Sequence, residues 1–207
     1  MTAEGDALRP RVILGLGNPG ARYSATRHNV GFRVVEELAR RLGLRLEPGE
    51  CNALVAEREG LLLVAPQTYM NRSGYCSRCL AERRQLVPTD FLVVYDEVHL
   101  PLGALRLRGK GSPAGHRGME SVIENFGSAE VPRLRLGVAS GEVTGENLVD
   151  FVLGDFAPEE SKAVEEMVAV AADACELWAR EGVQAAMQRF NRSAPLEDAA
   201  SDEAGED

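Results

Sequence analysis

The side chains best suited to acid–base chemistry lie in short polar stretches that follow apolar runs of the sequence. His28 comes after the apolar run that ends at Leu16, and Asp96 directly ends the run that begins at Phe91. An imidazole titrates near neutral pH and is the commonest general base, while a carboxylate on its second nitrogen fixes its tautomer and stabilises its protonated form. No serine lies in a strand–turn–helix nucleophile motif, so a histidine base without a protein nucleophile indicates activation of a water molecule.

Two asparagines occupy comparable turns and are candidates for neutral hydrogen bonding in a site. Asn18 follows the first apolar run, and Asn71 stands where a helix is predicted to begin. Open α/β sheets place their sites beyond the carboxyl ends of the strands, so both turns are candidates for a site. A neutral amide both donates and accepts hydrogen bonds.

A metal centre is the competing interpretation of the same residues. The possible ligands are His28, His99, His116 and Asp96. No pair of them has the i, i+4 spacing of two ligands on one helix face, and the neutral asparagines suit hydrogen bonding better than ligation. We therefore expect catalysis without a metal or any other cofactor.

A dinucleotide site is suggested by the segment Gly15–Gly20, which reads G-x-G-x-x-G after the first apolar run. That fingerprint requires a helix that begins within the glycines and an acidic residue at the end of a second strand. The first strong helix start is Asn29, and the acids at a suitable distance, Glu36 and Glu37, fall inside the predicted helix. We therefore expect no dinucleotide, and we predict that the glycines form a turn that presents Asn18.

A basic segment, Arg106-Leu-Arg108-Gly-Lys110, alternates at strand spacing, so Arg106 and Arg108 should share one face of a strand. Two cations on one face can bind a phosphate group. A solvated strand face is the alternative.

The elements that must position these residues alternate between strand and helix, which favours an α/β fold. The predicted strands are Val12–Leu16, Leu61–Ala65, Phe91–Tyr95, Leu105–Arg108 and Leu134–Val138. The predicted helices are a segment from Asn29 to Gly43, then Ser73–Leu86, Gly118–Phe126, Asn147–Leu153, Glu159–Glu181 and Val183–Phe190. We predict a single-domain three-layer α/β/α sandwich with a mixed, mostly parallel central sheet.

Composition divides the 207 residues into an extension at 1–10, a domain at 11–192 and an acidic tail at 193–207. The formal charge is −9, but the tail contains six acidic residues and no basic one, so the body is nearly neutral. Such a tail is predicted to be disordered. No signal peptide and no long apolar run is found, which predicts a cytoplasmic protein without a membrane. Cys76 and Cys79 form a C-x-x-C within a predicted helix, and we expect reduced, partly buried thiols.

Several long motifs together resemble the bacterial peptidyl-tRNA hydrolase family. They are GLGNPGARYSATRHNVGF, PQTYMNRSG, VVYDEVHLPLGALRLRGKGSPAGHRGMES and PRLRLGV, followed by FVLGDF. They stand in the family's order over roughly residues 11–190. The resemblance implies a monomeric, metal-free esterase that cleaves the bond between a peptide and the 3′ ribose of tRNA, and that recycles tRNA from prematurely released chains.

The resemblance also implies residue roles. His28 would be the general base and Asp96 its orienting partner, with Asn18 and Asn71 holding the peptidyl ester. The residues expected to contact the substrate are Tyr23, Met70, Arg106, Arg108, His116, Arg117 and Arg133. Among them, Tyr23 and Met70 would line the channel for the terminal adenosine and peptide, Arg106 and Arg108 would bind the 5′ phosphate on the acceptor stem, and Arg133 would lie on a basic rim. Phe151–Phe156 would belong to a mobile lid.

This chain departs from the family pattern at two positions. The common G-H-N-G reads Gly115-His116-Arg117-Gly118, and His99 stands where an acidic residue is frequent. Arginine has no acceptor, so Arg117 cannot hold a water molecule as asparagine does. We expect it to face substrate phosphates and to lower the pKa of His28. A non-catalytic RNA-binding protein on the same scaffold is the main alternative function, and a nucleotide-dependent oxidoreductase is a third.

Overall fold

The computed structural model describes residues 10–140 and 147–191. The predicted acidic tail and all but the last residue of the predicted N-terminal extension lie outside the described residues, so their predicted properties are not addressed by the structure.

One seven-stranded sheet forms the centre of the described chain, in the order β2-β3-β4-β1-β5-β7-β6. The strands are β1 Arg11–Gly15, β2 Glu47–Pro48, β3 Ala53–Arg58, β4 Leu61–Pro66, β5 Phe91–Pro101, β6 Leu105–Arg108 and β7 Arg133–Ala139. The central strands β4, β1, β5 and β7 are parallel to one another, whereas β3 and β6 pair antiparallel with their neighbours. The sheet is therefore mixed, as predicted.

Five helices cover the two faces of this sheet in the described chain. They are α1 Val30–Arg41, α2 Ser73–Arg84, α3 Arg117–Phe126, α4 Leu148–Leu153 and α5 Ser161–Phe190. Helices α1 and α5 pack on one face against residues such as Ile13 and Leu134, and α2 and α3 pack on the other against residues such as Leu14 and Val93. These two hydrophobic clusters confirm the predicted three-layer sandwich.

Most predicted elements are confirmed within one or two residues at their ends. Gly182, predicted to separate two helices, has φ 83° and ψ 179° and interrupts α5 at that position. The strands β2 and β3 were not predicted, because Ala53–Arg58 ends in exposed charged residues and obtains its pairing from β4. Strand β5 extends to Pro101, well beyond the predicted end at Tyr95.

The prediction of reduced thiols is wrong for Cys79, which forms a disulfide with Cys51. The Cα atoms of the pair are 5.7 Å apart, although the residues are 28 positions apart in sequence. Cys51 adopts a left-handed backbone conformation in the turn before β3, which brings it to α2. Cys76 and Cys175 are buried free cysteines. The C-x-x-C spacing suggested only a local pair and gave no sign of this distant partner.

Helices in the described ranges fall short of the combined length and apolar character that a bilayer crossing would require.

Candidate active site

Asp96 lies between two histidines at the end of the sheet. It belongs to β5, and His28 belongs to a 3₁₀ turn, Arg27–Asn29, that follows the neighbouring strand β1. Asp96 Oδ1 is 2.8 Å from His28 Nδ1 and 3.0 Å from His116 Nε2. Asp96 is only 2% exposed, so these two rings shield its carboxylate from solvent.

The hydrogen bonds of His116 define its tautomer. His116 is the N-cap residue of α3, and its Nδ1 accepts a hydrogen bond from the backbone N–H of Met119 at 3.2 Å. A nitrogen that accepts carries no proton, so the proton of the neutral ring is on Nε2 and is donated to Asp96. Both ring nitrogens of His116 are therefore engaged, and the ring cannot act as a base without losing one of these bonds.

His28 has the complementary arrangement. Its Nδ1–H donates to Asp96, and among the described residues no partner is found for Nε2, while the ring borders the main cavity. The lone pair on Nε2 is thus available to accept a proton from a water molecule. Of the two histidines that contact Asp96, only His28 offers a free acceptor.

The electrostatic environment stabilises the protonated form of His28. Burial alone would lower its pKa, but the charge and hydrogen bond of Asp96 outweigh burial and raise the pKa above the ordinary histidine value. Arg117 opposes this with a smaller effect that lowers the pKa. For Asp96, burial would raise the pKa, but the two histidines hold it well below its usual range. Asp96 is therefore ionised and supports a positive charge on His28.

Asn18 is held in one orientation by its neighbours. Its backbone N–H donates to Asn29 Oδ1, and Asn29 Nδ2 donates back to the Asn18 carbonyl, both at 2.9 Å. The side-chain Oδ1 of Asn18 accepts from the backbone N–H of Met70, also at 2.9 Å. Since the oxygen is engaged, the NH₂ group remains to donate into the cavity that Asn18 lines. Asn29, predicted only to cap α1, makes no capping bond and holds Asn18 instead.

The glycines of the first loop allow this close packing. A Cβ on Gly15 would lie 2.3 Å from the carbonyl oxygen of Gly31, so β1 and α1 can approach only because no side chain is present. Gly20 turns the loop with φ 103°. Helix α1 begins at Val30, ten residues after Gly20 in the sequence, so the helix does not begin within the glycines. This arrangement differs from a dinucleotide fingerprint.

A cavity of about 360 Å³ opens above His28 and Asp96. The polar residues that line it include Asn18 and Asn71, and the buried Met70 lines it as well. Tyr69, which was not predicted as a site residue, also lines the cavity and is 60% exposed. An exposed aromatic ring at a cavity mouth offers a flat surface on which a base or a side chain can stack.

Four apolar side chains of α4 also line the cavity. These are Leu148, Val149, Val152 and Leu153. The aromatic residues predicted in the lid, Phe151 and Phe156, do not line the cavity. They flank the guanidinium of Arg27, whose central carbon is 4.5 Å and 5.1 Å from their ring centroids. They therefore anchor the α4 segment to the residue next to His28.

Arg27 is itself buried beneath this segment, with 8% of its surface exposed. Its guanidinium donates to the backbone carbonyls of Gly154 and Asp155 and to Glu160. Its backbone N–H also donates to Gly154. The sequence suggested no structural role for Arg27, because its partners are more than 120 residues away.

Three of the four residues considered as metal ligands lie close together in the structure. One ligating atom each from His28, Asp96 and His116 lies within 4.8 Å of the others, so this trio could hold a metal ion. His99 is not in the group. Because the facing nitrogens of both histidines donate protons to Asp96, a metal ion would have to displace these protons.

Arg117 and His99 both border the cavity and are exposed. Arg117 is the first residue of α3, directly after His116. As expected, the charge of Arg117 lowers the pKa of His28, although Asp96 raises this pKa by more.

Two predicted substrate residues are placed differently. Tyr23 is absent from the cavity lining, and its hydroxyl and ring contact Arg22. Arg133 was predicted on a basic rim, and that position is wrong, because it is 2% exposed. Its guanidinium donates to backbone carbonyls of Gly111, Ser112, Ala129 and Val131. Arg133 therefore fixes the loops around α3 from within.

Arg106 and Arg108 share one face of the edge strand β6, as predicted from their spacing. Leu105 and Leu107 point into the core, whereas Arg106 is half-buried and Arg108 is exposed. Within residues 10–140 and 147–191, neither arginine has an ion-pair partner. Two unpaired cations at a sheet edge are available to an external anion.

Comparison with known proteins gives one consistent result. A family model described as "Peptidyl-tRNA hydrolase" matches residues 12–198. Curated proteins of that name from Synechococcus and Halalkalibacterium halodurans are 45% and 43% identical, covering 91% and 87% of this chain and 86% and 100% of their own lengths. A crystal structure of peptidyl-tRNA hydrolase from Acinetobacter baumannii superposes with a TM-score of 0.82 at 30% identity, covering 91% of this chain and 97% of that one.

Proposed function

Because this chain belongs to the peptidyl-tRNA hydrolase family, we propose that it hydrolyses the ester that joins a peptide to the 3′ ribose of tRNA, and so recycles tRNA from prematurely released chains. tRNA is the partner that this activity requires. The residue assignment rests on the ring of His28. Its Nδ1 contacts the ionised Asp96, and no partner is found for its Nε2 among the described residues.

The reaction begins with a water molecule between His28 and the ester. The water oxygen attacks the carbonyl carbon while His28 Nε2 removes a proton from the water. Asp96 stabilises the imidazolium that forms. The NH₂ group of Asn18 donates to the carbonyl oxygen, where negative charge develops. Asn71, which is exposed and lines the same cavity, holds the peptide. When the tetrahedral intermediate collapses, the ribose oxygen leaves and takes the proton from His28, so the enzyme returns to its starting state.

Substrate contacts extend the proposal beyond the reacting atoms. Met70 lines the channel, and His116 and Arg117 border it on the side of α3. Arg106 and Arg108 bind the 5′ phosphate on the acceptor stem through their charge. The protein acts as a monomer of one domain over residues 11–192, without a metal or other cofactor.

The test is release of an N-acetylated amino acid from tRNA, with and without a chelator. His28→Ala should lower kcat by ~10²–10⁴, the usual contribution of a general base, while the exposed His99→Ala serves as a matched control and should lose less than about tenfold. A chelator should leave the rate unchanged, and unblocked aminoacyl-tRNA should be largely spared.

Three results would contradict parts of this proposal. Loss of activity with chelator and recovery with zinc would assign a metal to His28, Asp96 and His116. A loss under about tenfold in His28→Ala would reassign the base. Binding of the tRNA ester without turnover by the wild-type protein would favour the non-catalytic RNA-binding alternative.

A further inference from the structure

The cavity contains one exposed and permanently charged side chain among its described lining residues. Asp96 and Glu97 also line it, but they are 2% and 5% exposed. Glu97 pairs with Arg135 at 2.8 Å, and Asp96 is engaged by two histidines. Arg117 is exposed and has no ion-pair partner in residues 10–140 and 147–191. A substrate in this cavity therefore meets a positive charge that none of the described residues neutralises in an ion pair.

The reacting end of the substrate must come close to this charge. The attacking water lies within hydrogen-bond reach of His28 Nε2 and about 3 Å from the ester carbonyl carbon. The substrate's α-amino nitrogen is two bonds from that carbon, roughly 2.5 Å away. It therefore lies within about 8.5 Å of His28 Nε2. Arg117 lines the same cavity as His28 and is exposed there, so a charge at the amino nitrogen lies within the electrostatic field of its guanidinium.

The chemical state of this nitrogen separates two classes of tRNA ester. In peptidyl-tRNA the nitrogen is an amide and has no charge. In unblocked aminoacyl-tRNA the nitrogen is an amine with a pKa near 8, so it is mostly protonated and positively charged at a pH below that value. A cation in the cavity penalises only the second class, and the imidazolium that forms on His28 in the transition state adds to the penalty.

We propose that Arg117 is a specificity-determining residue that excludes unblocked aminoacyl-tRNA from hydrolysis by charge repulsion. This inference rests on the proposed function. Arginine donates but cannot accept hydrogen bonds, so it does not hold the attacking water as an asparagine could, and its charge is its contribution. Attraction of Arg117 to tRNA phosphates is common to both substrate classes and cancels in a ratio of their rates.

The experiment uses three tRNA esters with the same side chain: the N-acetylaminoacyl ester, the free aminoacyl ester and the α-hydroxyacyl ester. The last has neither a blocked nitrogen nor a charge, so its comparison with the free amine isolates the charge. We would measure kcat/KM at a pH below the pKa of the amine for the wild type, Arg117→Gln and Arg117→Lys. Arg117→Gln should raise the aminoacyl rate about tenfold relative to the hydroxyacyl rate, and Arg117→Lys should keep the wild-type ratio.

An unchanged ratio in Arg117→Gln would overturn the inference, as would a ratio in Arg117→Lys equal to that in Arg117→Gln. A second measurement needs no variant: higher salt should weaken the wild-type discrimination between amino and hydroxy esters, because an exposed charge is screened. Discrimination independent of salt would also count against the inference. Failure of the wild type to cleave even the N-acetylated ester would instead defeat the proposed function.

Discussion

Replacement of Asp96 by asparagine removes the charge that the proposed mechanism needs and keeps the shape of the side chain. In the wild type, Asp96 Oδ1 lies 2.8 Å from His28 Nδ1, so the charge centres of carboxylate and imidazolium are about 4 Å apart. Two unit charges at that distance interact by about 4 kcal/mol at an effective dielectric constant near 20. Loss of this interaction in the transition state corresponds to about a thousandfold in kcat.

The same change alters the proton distribution of the resting site. An amide NH₂ directed at His28 would require Nδ1 to accept, which moves the ring proton to Nε2 and removes the base. Wild-type activity should fall as the pH decreases through the pKa of His28, because the base must be neutral, and this pKa is raised by Asp96. Without the carboxylate, burial and Arg117 both lower the pKa of His28. The acid limb of the variant's profile should therefore lie at lower pH, below a reduced plateau.

The assay is single-turnover release of an N-acetylated amino acid from tRNA across a range of pH, with thermal unfolding to verify the fold. Glu97→Gln is the matched control, because Glu97 is a buried carboxylate next along β5 that pairs with the guanidinium of Arg135 and with the backbone N–H of His99, and not with a histidine ring. It should keep the position of the acid limb. A plateau loss under tenfold in Asp96→Asn, or an acid limb that does not move, would refute the assignment of Asp96 as the partner of the base.

Two further predictions concern the sheet edge and the disulfide. The double variant Arg106→Ala, Arg108→Ala should bind tRNA more weakly, and the slope of log K against log salt should decrease by about 0.7–0.9 for each lost phosphate contact. The control variant Arg40→Ala, in α1 on the other face of the sheet, should keep the wild-type slope. An unchanged slope in the double variant would show that both arginines only form a solvated strand face. Reduction of the Cys51–Cys79 disulfide, which closes a 28-residue loop, should lower the free energy of unfolding by about 3.5 kcal/mol. A reductant should have no such effect on a Cys51→Ala, Cys79→Ala variant, and an unaffected wild type in denaturant titrations would show that the bond contributes little.

The sequence predicted the pairing of His28 and Asp96 because each comes after an apolar run, and in the structure these runs belong to the neighbouring parallel strands β1 and β5. Polar residues at the carboxyl ends of such strands converge whatever the details of packing. The sharing of Asp96 by His116 was not predicted, because it depends on how α3 begins, and N-cap geometry is not visible in residue types alone. Arg133 was misplaced for a related reason. Its position on a rim was inferred from the resemblance alone, and the residue types do not show that backbone carbonyls of the surrounding loops enclose its guanidinium.

The packing of Arg27 has a consequence for engineering. Its guanidinium lies between Phe151 and Phe156, and its carbonyl partners belong to the same segment. Residues 148–156 therefore cannot be replaced freely by the corresponding segment of another protein. A replacement that lacks either aromatic ring would remove a packing partner of the buried Arg27 guanidinium, in the residue next to His28. A chimera that aims to alter the cavity wall should instead keep both rings and vary only the apolar side chains of α4 that line the cavity.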